Sequence, residues 1–109
     1  MAAELNRGEI WLYEFRPPDK RRPVLILSRQ DAIAVLDTVM VAPITSTRRG
    51  LPSEVPVDAA EGLKGDSAIN LDHVQTVERR RLHHFVGSLT KPKMAQVCRA
   101  LAIATGCVD

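Results

Sequence analysis

The stretch Arg22-Pro23-Val24-Leu25-Ile26-Leu27-Ser28 is a short apolar run with the length and composition of a buried β-strand. Pro23 fits such a strand only near its start, because proline has no N–H group to donate to a β-ladder. We therefore expect a strand that begins close to Arg22 and is entered through a basic segment.

Six further segments on either side of this run also have strand character, and turn-forming residues separate most of them. By number they are 8–15, 38–44, 53–57, 67–71, 73–77 and 85–89. Residues 32–36 favour a short helical turn, and the charged segment 78–84 favours a short helix or turn. Many short strands with few helices are typical of a small, strongly bent antiparallel sheet or an open barrel.

A helix of good length follows the last predicted strand. Thr90 is a suitable N-cap, Pro92 lies in the first turn, and Gly106 is a stop signal. The apolar positions between them follow the i, i+3, i+4 spacing of one helix face, namely Met94, Val97, Cys98, Leu101 and Ala102. The sequence therefore predicts an α+β, mainly β fold of antiparallel strands with a C-terminal helix.

Length and composition indicate a single modest domain, 1–109. Hydrophobic residues make up 45% of the 109 and charged residues 26%, which excludes disordered and fibrous classes. No apolar run approaches the roughly 18 residues of a membrane helix, and the N-terminus lacks a secretory signal, so we expect a cytoplasmic protein. The net charge is only +2, but arginine outnumbers lysine 11 to 4, and arginine suits the forked recognition of phosphate.

Cysteine and histidine spacing gives no sign of a disulfide or a metal site. Cys98 and Cys107 lie nine residues apart, which is about 13 Å along a helix and too far for a disulfide. His83 and His84 are adjacent and His73 is isolated, so the spacing of a metal-ligand set is absent. We expect neither a bound metal nor a cofactor.

Three polar clusters at the ends of predicted strands could hold a phosphate group. By number they are 20–22, 45–49 and 72–76. Each is equally compatible with an ordinary solvated surface. The consecutive arginines 79–81 would point in different directions on a helix, so we interpret them as solvated.

The histidines invite comparison with the acid–base pair of a ribonuclease. Adjacent residues point to opposite faces of a strand or about 100° apart on a helix, whereas in-line displacement needs acid and base on opposite sides of one phosphate. We therefore interpret His83 and His84 as surface residues. His73, beside Asp72, is open between a surface residue and a substrate contact. No serine lies in a Gly-x-Ser-x-Gly motif, which argues against acyl transfer.

The chain resembles the MazF/PemK-type toxins of bacterial toxin–antitoxin systems over nearly its whole length, from Arg7 to about Gly106. The order and spacing of several motifs carry the resemblance, and no single motif does. They are RGEIW at 7–11, RRPVLILS at 21–28, VAPITSTRRGLP at 41–52, LDHVQTV at 71–77 and VGSL at 86–89.

The resemblance implies an SH3-like barrel that forms a homodimer. It also implies a metal-independent endoribonuclease that cuts single-stranded RNA at short sequences, leaving a 2′,3′-cyclic phosphate and a 5′-hydroxyl. A cognate antitoxin, whose disordered tail folds into the dimer groove, is the implied protein partner.

The resemblance further implies which residues act. The family's arginine before the proline of the second strand matches Arg22, and its threonine after the third strand matches Thr45. A guanidinium fork and a hydroxyl suit the extra negative charge that develops at phosphorus in the transition state. With the polar clusters, the resemblance suggests RNA contacts from Asp19, Lys20, Arg21, Ser46, Thr47, Arg48, Arg49, His73 and Gln75.

The chain departs from the family pattern at two places. Its loop 16–21 is short and lacks the serine and glutamate that many members carry there. Asp19 is the nearest acid, so the group that takes the 2′-hydroxyl proton stays open. His73 stands where an acid followed by glutamine is common, and it is a candidate for base recognition or acid–base chemistry.

Two other functions stay open at this point. A non-enzymatic toxin of the CcdB type has a similar architecture but binds a protein target such as gyrase, and it would not need Arg22 and Thr45. An inert SH3-like interaction module is the third possibility, and its expression would leave cell growth unchanged.

Overall fold

The computed structural model of the protein describes residues 4–15 and 21–108. Within these ranges the chain forms strands, two α-helices and short 3₁₀ turns at Ala59–Glu61, Leu71–His73 and Arg79–Arg81. The strands are β1 (Glu9–Glu14), β2 (Arg21–Ile26), β3 (Thr38–Thr45), β4 (Glu54–Val57), β5 (Ser67–Asn70), β6 (Gln75–Glu78) and β7 (Leu82–Ser88). The helices are α1 (Gln30–Val35) and α2 (Lys91–Ala104).

The strands form an antiparallel sheet in the order β4-β5-β3-β2-β1-β7, and β6 also pairs with β3. The long strand β3 is central to this sheet. Val41 pairs with Ile26 of β2 on one side and with Gln75 of β6 on the other, and Ile44 pairs with Ile69 of β5. One edge of β3 therefore pairs with two different strands, β6 and β5, which requires a strong bend in the sheet. The predicted α+β, mainly β fold with antiparallel strands and a C-terminal helix is confirmed.

Two apolar clusters cover the two faces of the bent sheet. Alternation along β2 sends Val24 and Ile26 into one cluster and Leu25 into the other. The first cluster includes Ile33 of α1, and the second includes Val97 of α2. Because both faces of β2 are buried, only its basic start is exposed.

Helix α2 begins and ends where the sequence indicates. The Thr90 hydroxyl accepts a hydrogen bond from the Lys93 N–H at 3.3 Å, and Pro92 lies in the first turn. Gly106 follows the helix with φ of +77°, a left-handed conformation that favours glycine. Among the described residues, no helix has the length and apolar character needed to cross a membrane.

Two predicted elements are wrong in part. The helix or turn expected at 78–84 is limited to Arg79–Arg81, and the following strand already begins at Leu82. His83 and His84 belong to that strand because its backbone groups pair with β1. Likewise, the strand expected at 73–77 begins only at Gln75. The Asn70 side chain accepts a hydrogen bond from the Asp72 N–H at 2.9 Å and so favours a turn at that place.

Strand β7 pairs irregularly with β1 at two positions. The successive pairs are Tyr13–Leu82, Leu12–His84, Trp11–Phe85 and Ile10–Gly87. His83 and Val86 are therefore skipped, which makes each of them a β-bulge. A bulge breaks the regular alternation of side chains between the two faces of a strand and aims neighbouring side chains in new directions.

Two glycines hold the segment after β4 against β7. Gly62 has φ of +96°, where a side chain is strained, and a Cβ atom there would collide with the carbonyl oxygen of Val86. A Cβ atom on Gly87 would collide with the carbonyl oxygen of Glu61. Backbone therefore packs directly on backbone, and this contact sets the position of residues 62–66.

Candidate active site

An open groove of about 750 Å³ lies where the ends of β1, β2 and β3 meet two other segments. Residues 62–67, which follow β4, form one side of it, and residues 84–86 of β7 contribute another wall. The glycine contact described above joins these two segments, so the same backbone packing sets the width of the groove.

Arg22 and Thr45 both line this groove. They come from neighbouring antiparallel strands, and the last recorded pair between those strands is Val24 with Pro43. Continued by two residues, the same register would set Arg22 opposite Thr45. Directly opposed residues have Cβ atoms about 4.5–5.5 Å apart on one face of a sheet, so a guanidinium and a hydroxyl can converge on one phosphate.

The two side chains differ in how they are held. The Arg22 side chain is exposed and makes no hydrogen bond or ion pair with the described residues. Thr45 is half-buried, and its hydroxyl oxygen accepts a hydrogen bond from the Thr47 N–H at 3.2 Å. This bond occupies a lone pair of the Thr45 oxygen and leaves the O–H proton able to point into the groove.

Arg21 also lines the groove but is shared with a carboxylate. Its guanidinium lies 3.7 Å from Glu14 of β1. The same carboxylate lies 3.1 Å from Nε2 of His83. Glu14 therefore balances part of the positive charge of Arg21, and the bulge residue His83 contacts the same carboxylate.

The other predicted RNA contacts are distributed unevenly. Ser46 lines the groove, whereas Thr47 and Arg49 are exposed in the loop after β3 and are not among the described lining residues. Asp19 and Lys20 lie outside the described residues. The second polar cluster thus reaches the groove mainly through its first two members.

Arg48 has a structural task that differs from the predicted phosphate contact. Its guanidinium donates hydrogen bonds of 2.9 Å to the carbonyl oxygens of Ser67 and Val57, and it lies 3.8 Å from Asp66. These contacts direct the fork toward backbone oxygens. Arg48 therefore fixes the loop after β3 to the ends of β4 and β5, which helps to shape the groove.

The third polar cluster does not join the groove. Nδ1 of His73 lies 3.2 Å from the Asn70 side-chain nitrogen in a 3₁₀ turn, and Gln75 pairs with Val41 near the middle of β3. Asp72 accepts a hydrogen bond from the Ser53 hydroxyl at 2.5 Å. The expected roles of His73 and Gln75 in RNA contact therefore have no support from the groove.

The groove residues that the sequence did not single out include Lys64, His84 and Phe85. Lys64 stands between two glycines in a segment that reads only as a turn. His84 and Phe85 reach the groove because of the bulges that flank them, and a bulge has no reliable sequence signature. No sequence signal marked Lys64 as a groove residue.

A close ion pair lies away from the groove. Arg80 donates a 2.8 Å hydrogen bond to Glu78, which holds the pKa of that carboxyl below its usual value. Neither residue lines the groove. Over the described part of the chain, no group of three or more His, Cys, Asp or Glu side chains is arranged to hold a metal ion.

Comparison with known proteins identifies a family and similar sequences. Residues 6–105 match the family described as the PemK-like, MazF-like toxin of type II toxin–antitoxin systems. The chain is 41% identical to the probable endoribonuclease MazF5 of Mycobacterium tuberculosis, with 98% of each chain covered.

Two solved structures are similar as well. The Mycobacterium tuberculosis toxin MazF-mt6 has a TM-score of 0.83 at 39% identity, covering 90% of this chain and 96% of that one. A mycobacterial endoribonuclease in complex with its cognate antitoxin has a TM-score of 0.84 at 27% identity, covering 98% and 99%. These relatives do not favour the CcdB-type alternative. The chain belongs to the PemK-like, MazF-like toxin family of type II toxin–antitoxin systems.

Proposed function

We propose that this toxin is a metal-independent endoribonuclease that cuts single-stranded RNA in the groove between β2, β3 and β7. The observation that carries the proposal is the meeting of Arg22 and Thr45, from two separate strands, in one open groove. The chain acts as one domain, 1–109, in the cytoplasm, where its RNA substrate is found.

The reaction needs no external nucleophile. The ribose 2′-oxygen forms a bond to the adjacent phosphorus, and the bond from phosphorus to the 5′-oxygen of the next nucleotide breaks. The transition state carries extra negative charge on its non-bridging oxygens. Arg22 offers a guanidinium fork and Thr45 a hydroxyl donor to that charge. Arg22 also donates a hydrogen bond to the leaving 5′-oxygen, which takes its proton from solvent water because the guanidinium keeps its own. The products are a 2′,3′-cyclic phosphate and a 5′-hydroxyl.

The toxin works as a homodimer and is neutralised by a cognate antitoxin protein. A chain of this size buries only on the order of 65% of its unfolded surface, so a shared interface adds stability. Support for the antitoxin comes from the mycobacterial relative whose structure includes its own antitoxin.

Cleavage in the absence of divalent metal is the direct test. Purified protein incubated with a long single-stranded RNA in excess EDTA is expected to cut it, because arginine and threonine supply the charge stabilisation that a metal would otherwise supply. The fragments should carry 5′-hydroxyl ends, detected by direct labelling with polynucleotide kinase without prior phosphatase. The same RNA annealed to its complement is the control and should resist. Cleavage that requires added Mg²⁺, or fragments with 5′-phosphate ends, would contradict the mechanism.

His84 is suited to take the 2′-hydroxyl proton. It pairs with Leu12 of β1, which in turn pairs with Pro23 of β2. With strands about 4.8 Å apart, the backbones of His84 and Pro23, the residue next to Arg22, stand about 10 Å from each other. His84 and Arg22 both line the groove, and histidine is the side chain that enzymes use most often as a general base.

Replacement of the two adjacent histidines separates this role from a general effect of charge. His84→Ala is expected to lower kcat by about 10²-fold or more, which is typical for the loss of a general base. His83→Ala is the matched control and should stay near wild type, because His83 contacts Glu14 instead. Added imidazole should restore part of the His84→Ala rate. Equal activities of the two variants would remove His84 from the mechanism.

A further inference from the structure

The chain has only four aromatic side chains, and their environments differ. Trp11 and Tyr13 are buried, and Phe15 packs against Tyr13 with ring centroids 4.7 Å apart. Phe85 is 49% exposed and lines the groove. An exposed aromatic ring that lines a groove offers a flat apolar face that a ligand can cover.

The ring of Phe85 is held by its neighbours. It packs edge-on against the indole of Trp11, with centroids 5.9 Å apart and planes at 76°. The adjacent bulge at Val86 lets His84, Phe85 and Val86 all line the groove, which a regular strand would not allow. An aromatic ring fixed in this way loses little conformational freedom when a flat ligand stacks on it.

The charges around Phe85 point to the kind of ligand. Arg21, Arg22 and Lys64 line the same groove, and among the described lining residues Asp66 is the single acidic one. A basic groove combined with an exposed aromatic ring is how proteins bind single-stranded nucleic acid. The cations follow the phosphates, and the ring takes the face of a base.

We propose that Phe85 is a stacking platform for a nucleobase of the RNA, beside the scissile linkage, and that it positions the strand for cleavage. The inference rests on the proposed function and adds to it a specific recognition contact. Arg22 and Thr45 act on the phosphate, whereas Phe85 binds a neighbouring base on the β7 side of the groove.

The test compares variants on an uncleavable probe. The probe is a 2′-O-methyl oligonucleotide of the sequence at which the protein cuts, with a companion set in which one position at a time is abasic. Phe85→Ala should weaken binding and raise KM by about 5- to 150-fold, with kcat changed much less. Phe85→Tyr should stay near wild type, because it keeps the ring. Leu51→Ala is the matched control, since Leu51 is 46% exposed but is not among the described groove residues.

The abasic probes locate the stacked base. One abasic position should weaken binding to the wild type and cause no further loss in Phe85→Ala, because the two changes remove the same contact. Trp11 is the sole tryptophan and touches Phe85, so its fluorescence reports the same event directly. Binding of the intact probe should change Trp11 emission more than binding of that abasic probe.

Three results would overturn the inference. Phe85→Ala could bind the probe as tightly as the wild type. Alternatively, every abasic position could weaken binding to Phe85→Ala as much as it weakens binding to the wild type. Phe85→Ala could also become monomeric in sedimentation while its affinity for RNA is unchanged, which would make the ring a contact between copies of the chain. These outcomes differ from failure of the proposed function, in which the wild type cuts the RNA only with added Mg²⁺ or leaves 5′-phosphate ends.

Discussion

Arg22→Ala is expected to lower kcat for RNA cleavage by about 10²- to 10³-fold, the usual cost of losing one preorganised donor to a developing oxyanion. The side chain is exposed and has no recorded partner among the described residues, so its removal should leave the melting temperature nearly unchanged. Cleavage is best measured under single-turnover conditions, which separate chemistry from product release.

The neighbouring arginine provides the control for this result. Arg21→Ala removes the same charge from the same groove, but Arg21 is shared with Glu14 and does not stand opposite Thr45. It should raise KM modestly and leave kcat close to wild type. Arg22→Lys should fall between wild type and alanine, because it keeps the charge but loses the planar fork. Wild-type kcat in Arg22→Ala would refute the assigned role.

Thr45→Val should reduce kcat by about 10²-fold, because valine keeps the shape of threonine and removes the hydroxyl donor. The same change also removes the acceptor for the Thr47 N–H, at a cost of about 1 kcal/mol in stability, and a melting curve measures that part separately. Because kcat and the free energy of unfolding are measured separately, the catalytic and structural effects of the substitution can be distinguished.

A hydroxyl at the same position should preserve the reaction. Thr45→Ser is expected to retain most of the activity, and Ser46→Ala, which removes a hydroxyl from the next residue in the groove, should have a small effect. If Ser46→Ala proves as damaging as Thr45→Val, the catalytic hydroxyl belongs to Ser46 and the register argument for Thr45 fails.

Local sequence patterns predicted the strands and the closing helix because these elements bury periodic apolar positions. The β2 run buries both faces, and α2 has its cap, its first-turn proline and its stop signal in order. The candidate catalytic pair followed from motif resemblance, and its two members lie at the ends of adjacent strands and line one groove.

The rest of the site depends on contacts that no short pattern contains. Arginine is a common phosphate ligand, but the guanidinium of Arg48 donates hydrogen bonds to the carbonyl oxygens of Ser67 and Val57 instead. His84 lies in a charged segment without strand periodicity, and this segment forms a strand only because it pairs with β1. The bulges at His83 and Val86 then determine which side chains of β7 face the groove.

The contact of Gly62 with β7, and of Gly87 with the segment after β4, makes the width of the groove a property of the main chain. No rotamer change can relieve a methyl group added at either position, so the Lys64 segment would have to move as a unit away from His84 and Phe85. Substrate selection could therefore be lost by a change of one carbon atom at a residue that never meets the RNA, while every side chain that performs the chemistry is still in place.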